Sequence, residues 1–196
     1  MTNYDALMAY DHDTQALAQI SGRLGWDQET MMPRGAASQR GEEMAALEAV
    51  LHARRTDPKV GEWLGAIDVS DLAPVGQAQV REIRRSFDRA SKIPATLATA
   101  LARLTSTAQG KWAEARAAND FAAFAPVLSE VIALKREEGA ALADGGNVYD
   151  AMLADYEPGT TGAELEAMFG AMRPALVDLR GAILEAKSAP ALKGRF

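Results

Sequence analysis

Apolar residues recur every three or four positions along nearly the whole chain, and convincing period-2 alternation is absent. Leu7, Tyr10, Thr14, Leu17, Ile20 and Leu24 form a near coiled-coil seam, which predicts a first helix ending near Gly25. A second helix is predicted from Ala36 to Arg55, with Met44, Leu47 and Leu51 inward. "TDPKVGEWLGAI" reads as a short helix with Asp57 as N-cap and Pro58 as its first residue. "SDLAPVG" reads as a loop, followed by a basic helix through "QAQVREIRRSFDRASK". Pro94 opens a long helix to Ala118, striped by Leu97, Leu101, Leu104, Ala108, Trp112 and Ala115. Asp120 caps the next helix, striped by Phe124, Val127, Val131 and Leu134 and ended by Gly145–Gly146. Thr161 and Glu164 form a capping box for the last helix. Its stripe is Leu165, Met168, Phe169, Met172, Leu176, Leu179 and Ile183, and Pro174 is expected to kink or loosen it.

The fold class is therefore all-α, an array of long, mostly antiparallel helices whose short joints pack sequential neighbours together. Neither a fixed-period repeat nor a low-complexity linker divides residues 1–196, which read as a single all-helical domain or domain fragment.

Composition narrows the chemistry. Of 196 residues, 48% are hydrophobic and 24% charged, which suits a packed core rather than a disordered chain. The net charge of −6 is poorly suited to gripping a phosphate backbone, so no nucleic-acid partner is expected. There is no cysteine, which excludes disulfides, thiolate metal sites and thiol nucleophiles. No apolar run reaches the length of a membrane span, and the polar, acidic start "MTNYDALMAYDHDTQ" is unlike a signal peptide. A cytoplasmic protein that does not engage a membrane is the expectation.

Histidine is scarce: His12 and His52 are the only two. A zinc-hydrolase helix needs two His at i and i+4 with a Glu between them, and neither has such a partner. "DHD" at Asp11 to Asp13 points three polar groups in different directions and reads as a solvated helical turn. Glu48 and His52 share a face and are expected to make a surface contact. Adjacent acids Glu42–Glu43 and Glu137–Glu138 diverge on a helix and form no dyad by themselves. Arg81, Arg84, Arg85 and Arg89 are interspersed with Glu82 and Asp88 and read as a salt-bridged face. No phosphate loop, nucleophile elbow or Ser–His–acid set is present. Catalytic residues: none; metal ligands: none; substrate-binding residues cannot be named.

The most unusual stretch is "LGWDQETMMPRGAASQR", Leu24 to Arg40. Local physics predicts a helix end here, with Trp26 and Met31 or Met32 buried as anchors. Asp27 or Thr30 is then expected to satisfy free backbone donors before Pro33. A direct substrate contact is the competing reading.

This stretch carries a resemblance. Trp26-Asp27-Gln28 with Thr30, then Met32-Pro33, then Gly35-Ala36 are similar to the N-terminal region of the thermostable zinc carboxypeptidases, the carboxypeptidase Taq family. "YDAMLADYEPG", Tyr149 to Gly159, resembles that family's Tyr-Asp-x-Leu-Leu-x-x-Tyr-Glu-Pro-Gly segment. The resemblance covers essentially the whole chain. It implies the N-terminal helical part of a neurolysin-like fold that walls and covers a substrate groove. In full-length members it implies zinc-assisted hydrolysis of C-terminal peptide bonds, with a motif Glu as general base. The family's His-Glu-x-x-His helix and further ligands are expected beyond the point where this chain stops. The chain is thus expected to be truncated, to hold no cofactor, to meet peptide substrate only in full-length homologues, and to be inactive alone. Apolar faces left uncovered predict a homo-oligomer, a dimer in the simplest case. A stand-alone interaction module derived from the peptidase is the alternative.

Overall fold

Eight α-helices account for most of the computed structural model, in which residues 2–186 are described. They are α1 (Asn3–Thr30), α2 (Ala37–Arg55), α3 (Pro58–Ala66), α4 (Pro74–Lys92), α5 (Ala95–Ala118), α6 (Phe121–Ala143), α7 (Val148–Leu153) and α8 (Gly162–Glu185). Single 3-10 turns at Arg34–Ala36 and Val69–Asp71 join the elements, and no strand occurs among the described residues. The all-α expectation holds. The chain divides into two compact units, residues 1–145 and 146–196.

Within the first unit, side-chain ties fix the directions of the helices. Arg40 meets Asp27, Ser21 meets Met44, and Arg54 meets Thr14, so α1 and α2 run antiparallel. Glu42 grips Arg103 through two bonds of 2.8 and 2.9 Å, and Gly41 lies against Thr107, so α2 and α5 also run antiparallel. A Cβ on Gly41 would come within 2.9 Å of Thr107 Cγ2, so the absence of a side chain lets these two helices approach closely.

One core cluster lies between α1, α3 and α4, where Leu7, Val60, Leu64 and Val80 are buried. Beside it, Tyr10 packs edge-on to Trp63 at 5.7 Å, and its hydroxyl donates to Asp57. Arg54 lies 4.0 Å over the Tyr10 ring and donates to the Tyr10 carbonyl. Burial and the Asp57 hydrogen bond push the Tyr10 hydroxyl above its ordinary pKa. Buried residues of α2, α5 and α6 include Ala45, Leu51, Leu101, Ala108 and Val127.

The predicted caps form. Asp57 accepts from Lys59 N–H with Pro58 at the helix start, and Asp120 accepts from Ala123 N–H. Asp144 and Gly145 take positive φ of 48° and 84° after α6. Thr161 and Glu164 make both halves of the capping box.

Several expectations fail for physical reasons. The first helix does not end near Gly25 but continues to Thr30. One helical glycine costs only about 1 kcal/mol, which the contacts of the following turn offset. "SDLAPVG" is not loop throughout, because Pro74 already starts α4. His52 makes no surface contact with Glu48. It is buried, 2.7 Å from the Ile93 carbonyl, while Glu48 pairs with Arg55. Trp112 and Ile20 belong to predicted inner stripes yet are half-exposed.

The second unit is α7, a turn and α8. Asn147 caps α7, and Asp150 Oδ1 accepts the Gly162 N–H at 2.7 Å, tying α7 to the first residue of α8. Tyr149 packs its ring against Gly162, where a Cβ would lie 3.1 Å from Cδ1. The helix α8 runs through Pro174 from Gly162 to Glu185. None of its predicted stripe is buried.

Candidate functional site

The end of α1, the turn after it, the start of α2 and the middle of α5 converge around Leu24–Arg40. The Met31 and Met32 N–H groups both donate to the Asp27 carbonyl, at 2.9 and 2.8 Å, which closes the last turn of α1. Thr30 donates its hydroxyl to the Trp26 carbonyl at 2.7 Å. Neither Asp27 nor Thr30 caps free donors before Pro33 through its side chain, as had been expected.

The Asp27 carboxylate instead accepts from Arg40 Nη2 at 2.5 Å. Arg40 also donates through Nη1 to the Leu24 carbonyl and through Nε to Glu43 at 3.0 Å. Its side chain is only 10% exposed. The hydrogen bond to Asp27, opposed by desolvation, holds the guanidinium above its ordinary pKa, so it remains charged despite burial. Gln28 forms a reciprocal pair with Ser106 on α5: its amide donates to the Ser106 carbonyl at 2.9 Å and accepts the hydroxyl at 2.7 Å.

Trp26 is 64% exposed and Met31 70%, so neither is a buried anchor. In this motif Asp27, Gln28 and Arg40 turn toward neighbouring helices, and Trp26 faces outward. Arg40 carries a signal in the sequence itself. It lies one turn before Met44, Leu47 and Leu51, on the inner face of the same helix. Ser106 carried no local signal, because its partner lies 78 residues away.

A cleft of about 650 Å³ opens beside this network, lined by Gln28, Met32, Arg34, Ser38, Lys111 and Glu114 among others. Arg34 and Glu114 form an exposed ion pair at 3.7 Å. The lining mixes both signs of charge and brings no nucleophile to a base. His12 sits exposed beside Asp13 at 3.5 Å, and buried His52 is engaged by a backbone carbonyl. The adjacent acids diverge: Glu42 pairs with Arg103, Glu43 with Arg40, and buried Glu138 with Lys135 at 2.6 Å. Along α4, Arg81 and Arg85 both pair with Glu82, and Arg84 donates to the Leu64 carbonyl. Among the described residues, no group of three or more His, Cys, Asp or Glu is placed to hold a metal ion. None of their helices is long and apolar enough to cross a membrane.

The two unusual motifs thus act as staples, Asp27 and Gln28 in the first unit and Asp150 in the second. They also mark ancestry. The sequence profile of the Carboxypeptidase Taq (M32) metallopeptidases matches residues 6–195. Thermostable carboxypeptidase 1 of Thermus thermophilus is 38% identical over 200 residues, covering 95% of this chain and 39% of the relative. The Pyrococcus furiosus protein of the same name is 28% identical over 179 residues, covering 89% of this chain and 35% of its own length. Among solved structures, the M32 carboxypeptidase of Deinococcus radiodurans R1 superposes with a TM-score of 0.73 at 30% identity. That match covers 96% of this chain and 38% of the other. The chain therefore spans less than two-fifths of the length of the curated relatives it matches. With the match running from residue 6 to residue 195, the chain belongs to the carboxypeptidase Taq (M32) metallopeptidase family.

Proposed function

We propose that this chain is the N-terminal helical part of a zinc metallocarboxypeptidase that removes residues from the C-terminus of peptides. In that role it walls and covers the substrate groove and is inactive alone. The supporting observation is the match across residues 6–195 combined with a span of only 35–39% of the relatives' length. The donor set does not fit zinc, since no cluster of three or more suitable ligands occurs among the described residues. No catalytic step is therefore assigned to a residue of this chain. The same reading places the protein in the cytoplasm, without a nucleic-acid partner.

The test is direct. The purified chain, loaded with zinc, is assayed on peptides with free and amidated C-termini while bound metal is measured. Neither cleavage nor stoichiometric zinc is expected. One-to-one zinc with cleavage that requires a free C-terminus would overturn the inactivity.

A second reading is favoured by one observation. The apolar stripe of α8 is open, and Phe169 and Ile183 are 57% and 63% exposed. On this reading the chain is a stand-alone module that self-associates. A dimeric mass at micromolar concentration in light scattering supports it, and a monomeric mass counts against it.

A further inference from the structure

We propose that the cleft at the turn between α5 and α6 binds a free α-amino acid with an aromatic or large apolar side chain. The ligand's carboxylate meets Arg116, its ammonium group meets Asp120, and its side chain lies among Trp112, Phe121 and Phe124. The site stands on its own residues and does not depend on the peptidase reading. On that reading, such an amino acid is also what the reaction releases.

The turn is held by its backbone. The Asn119 N–H donates to the Arg116 carbonyl at 3.2 Å, and the Asp120 N–H donates to the Ala115 carbonyl at 2.8 Å. Asn119 takes a φ of 53°, a left-handed conformation that asparagine adopts more readily than most residues. Asp120 Oδ1 accepts the Ala123 N–H at 3.0 Å and starts α6. The backbone carrying the lining residues is thus ordered before a ligand arrives, which lowers the cost of binding.

The cleft measures about 230 Å³. Drug-sized pockets begin at about 300 Å³, so this one suits a single amino acid. Trp112, Phe121 and Phe124 line it beside the buried Ala115. Trp112 is 50% exposed and Phe121 69%. Single exposed apolar residues are ordinary, but three rings on one concave surface offer a place for a planar or apolar group.

The charges select the ligand class. Arg116 and Asp120 line the same cleft, yet they do not pair with each other. Neither has an ion-pair partner among the described residues. Asp120 Oδ1 serves the helix start, which leaves Oδ2 open. An aromatic cation would satisfy Asp120 and be repelled by Arg116. A carboxylate or phosphate without a cationic group would meet the reverse. A zwitterion satisfies both, and the α-amino acid is the smallest common molecule that carries both charges on one carbon.

The 196-residue chain is titrated with L-phenylalanine, followed by calorimetry and tryptophan fluorescence. Saturable one-to-one binding is expected. L-Phenylalaninamide lacks the carboxylate and N-acetyl-L-phenylalanine lacks the ammonium group, and each should bind at least about tenfold more weakly. Arg116→Gln should abolish the preference over the amide. Asp120→Asn keeps the capping oxygen and should abolish the preference over the N-acetyl compound. Trp112→Ala should weaken L-phenylalanine by about tenfold. The absence of saturation up to the solubility limit of phenylalanine overturns the inference. So does equal binding of all three compounds, tighter binding of the amide, which would indicate a pocket for aromatic cations, or affinity unchanged in Arg116→Gln and Trp112→Ala. If a variant does not fold, the three ligands on the parent chain still decide. The peptidase reading is judged separately by the cleavage assay above: binding without cleavage leaves this site intact, and cleavage without binding removes only the site.

Discussion

Arg40 reaches back thirteen residues to Asp27, joining the last turns of α1 to the start of α2 through a 2.5 Å ion pair. Arg40 is buried, while Asp27 keeps a side-chain exposure of 40%, so the pair is half inside and half at the surface. The Leu24 carbonyl and Glu43 complete the guanidinium's partners. This geometry makes the Trp-Asp-Gln segment a staple between helices.

Replacing Arg40 with Ala strips partners from two carboxylates and a carbonyl at once. Because both carboxylates remain partly solvated, the expected loss is about 1–3 kcal/mol, below that of a fully buried pair. Urea unfolding measures it. An unchanged midpoint would show that the network contributes nothing net.

Trp26→Ala should leave stability within about 0.5 kcal/mol of the parent, because the ring is 64% exposed. A drop of several degrees in Tm would mean that Trp26 is covered in solution.

Two glycines give opposite expectations. Gly41→Ala forces the new Cβ against Thr107 Cγ2 at 2.9 Å and should cost about 1–3 kcal/mol as α2 and α5 part. Gly22 lies within α1 with nothing within 4 Å, so Gly22→Ala should stabilise by about 0.5–1 kcal/mol. Thermal unfolding of both variants checks the signs.

The capping box of α8 implies a pH dependence. Hydrogen bonds from the Thr161 N–H and hydroxyl hold the Glu164 carboxyl below the ordinary glutamate value of 4.5. A carboxylate depressed in the folded state contributes stability that is present above its unfolded pKa. That contribution is lost as pH falls through the lower, folded value. Protection of the amides in the first turn of α8, taken relative to the intrinsic exchange rate at each pH, should therefore fall below pH 4.5, starting from the value unfolded glutamate takes. Glu164→Gln should raise exchange there at neutral pH and remove the acid step. A variant that retains the step would assign it elsewhere.

Helix identity was legible because it follows from local spacing and caps. Asp57, Asp120 and the Thr161–Glu164 box each act within one turn, and each forms as expected. The end of α1 is ambiguous in the sequence because Gly25 and Pro33 both punctuate the segment. The choice between them depends on Asp27 and Gln28 finding partners on α2 and α5. The burial of His52 is hidden from the sequence for a similar reason, since its partner, the Ile93 carbonyl, is 41 residues away.

By itself, the sequence determined the all-α class, most helix starts and the family, because these rest on short-range periodicity, capping chemistry and two unusual motifs. Only the tertiary structure decided which polar residues are buried. It paired Arg40 with Asp27 and Gln28 with Ser106, turned Trp26 outward, and left the stripe of α8 open. Burial depends on what other elements bring to a face, and periodicity reports only that a face exists.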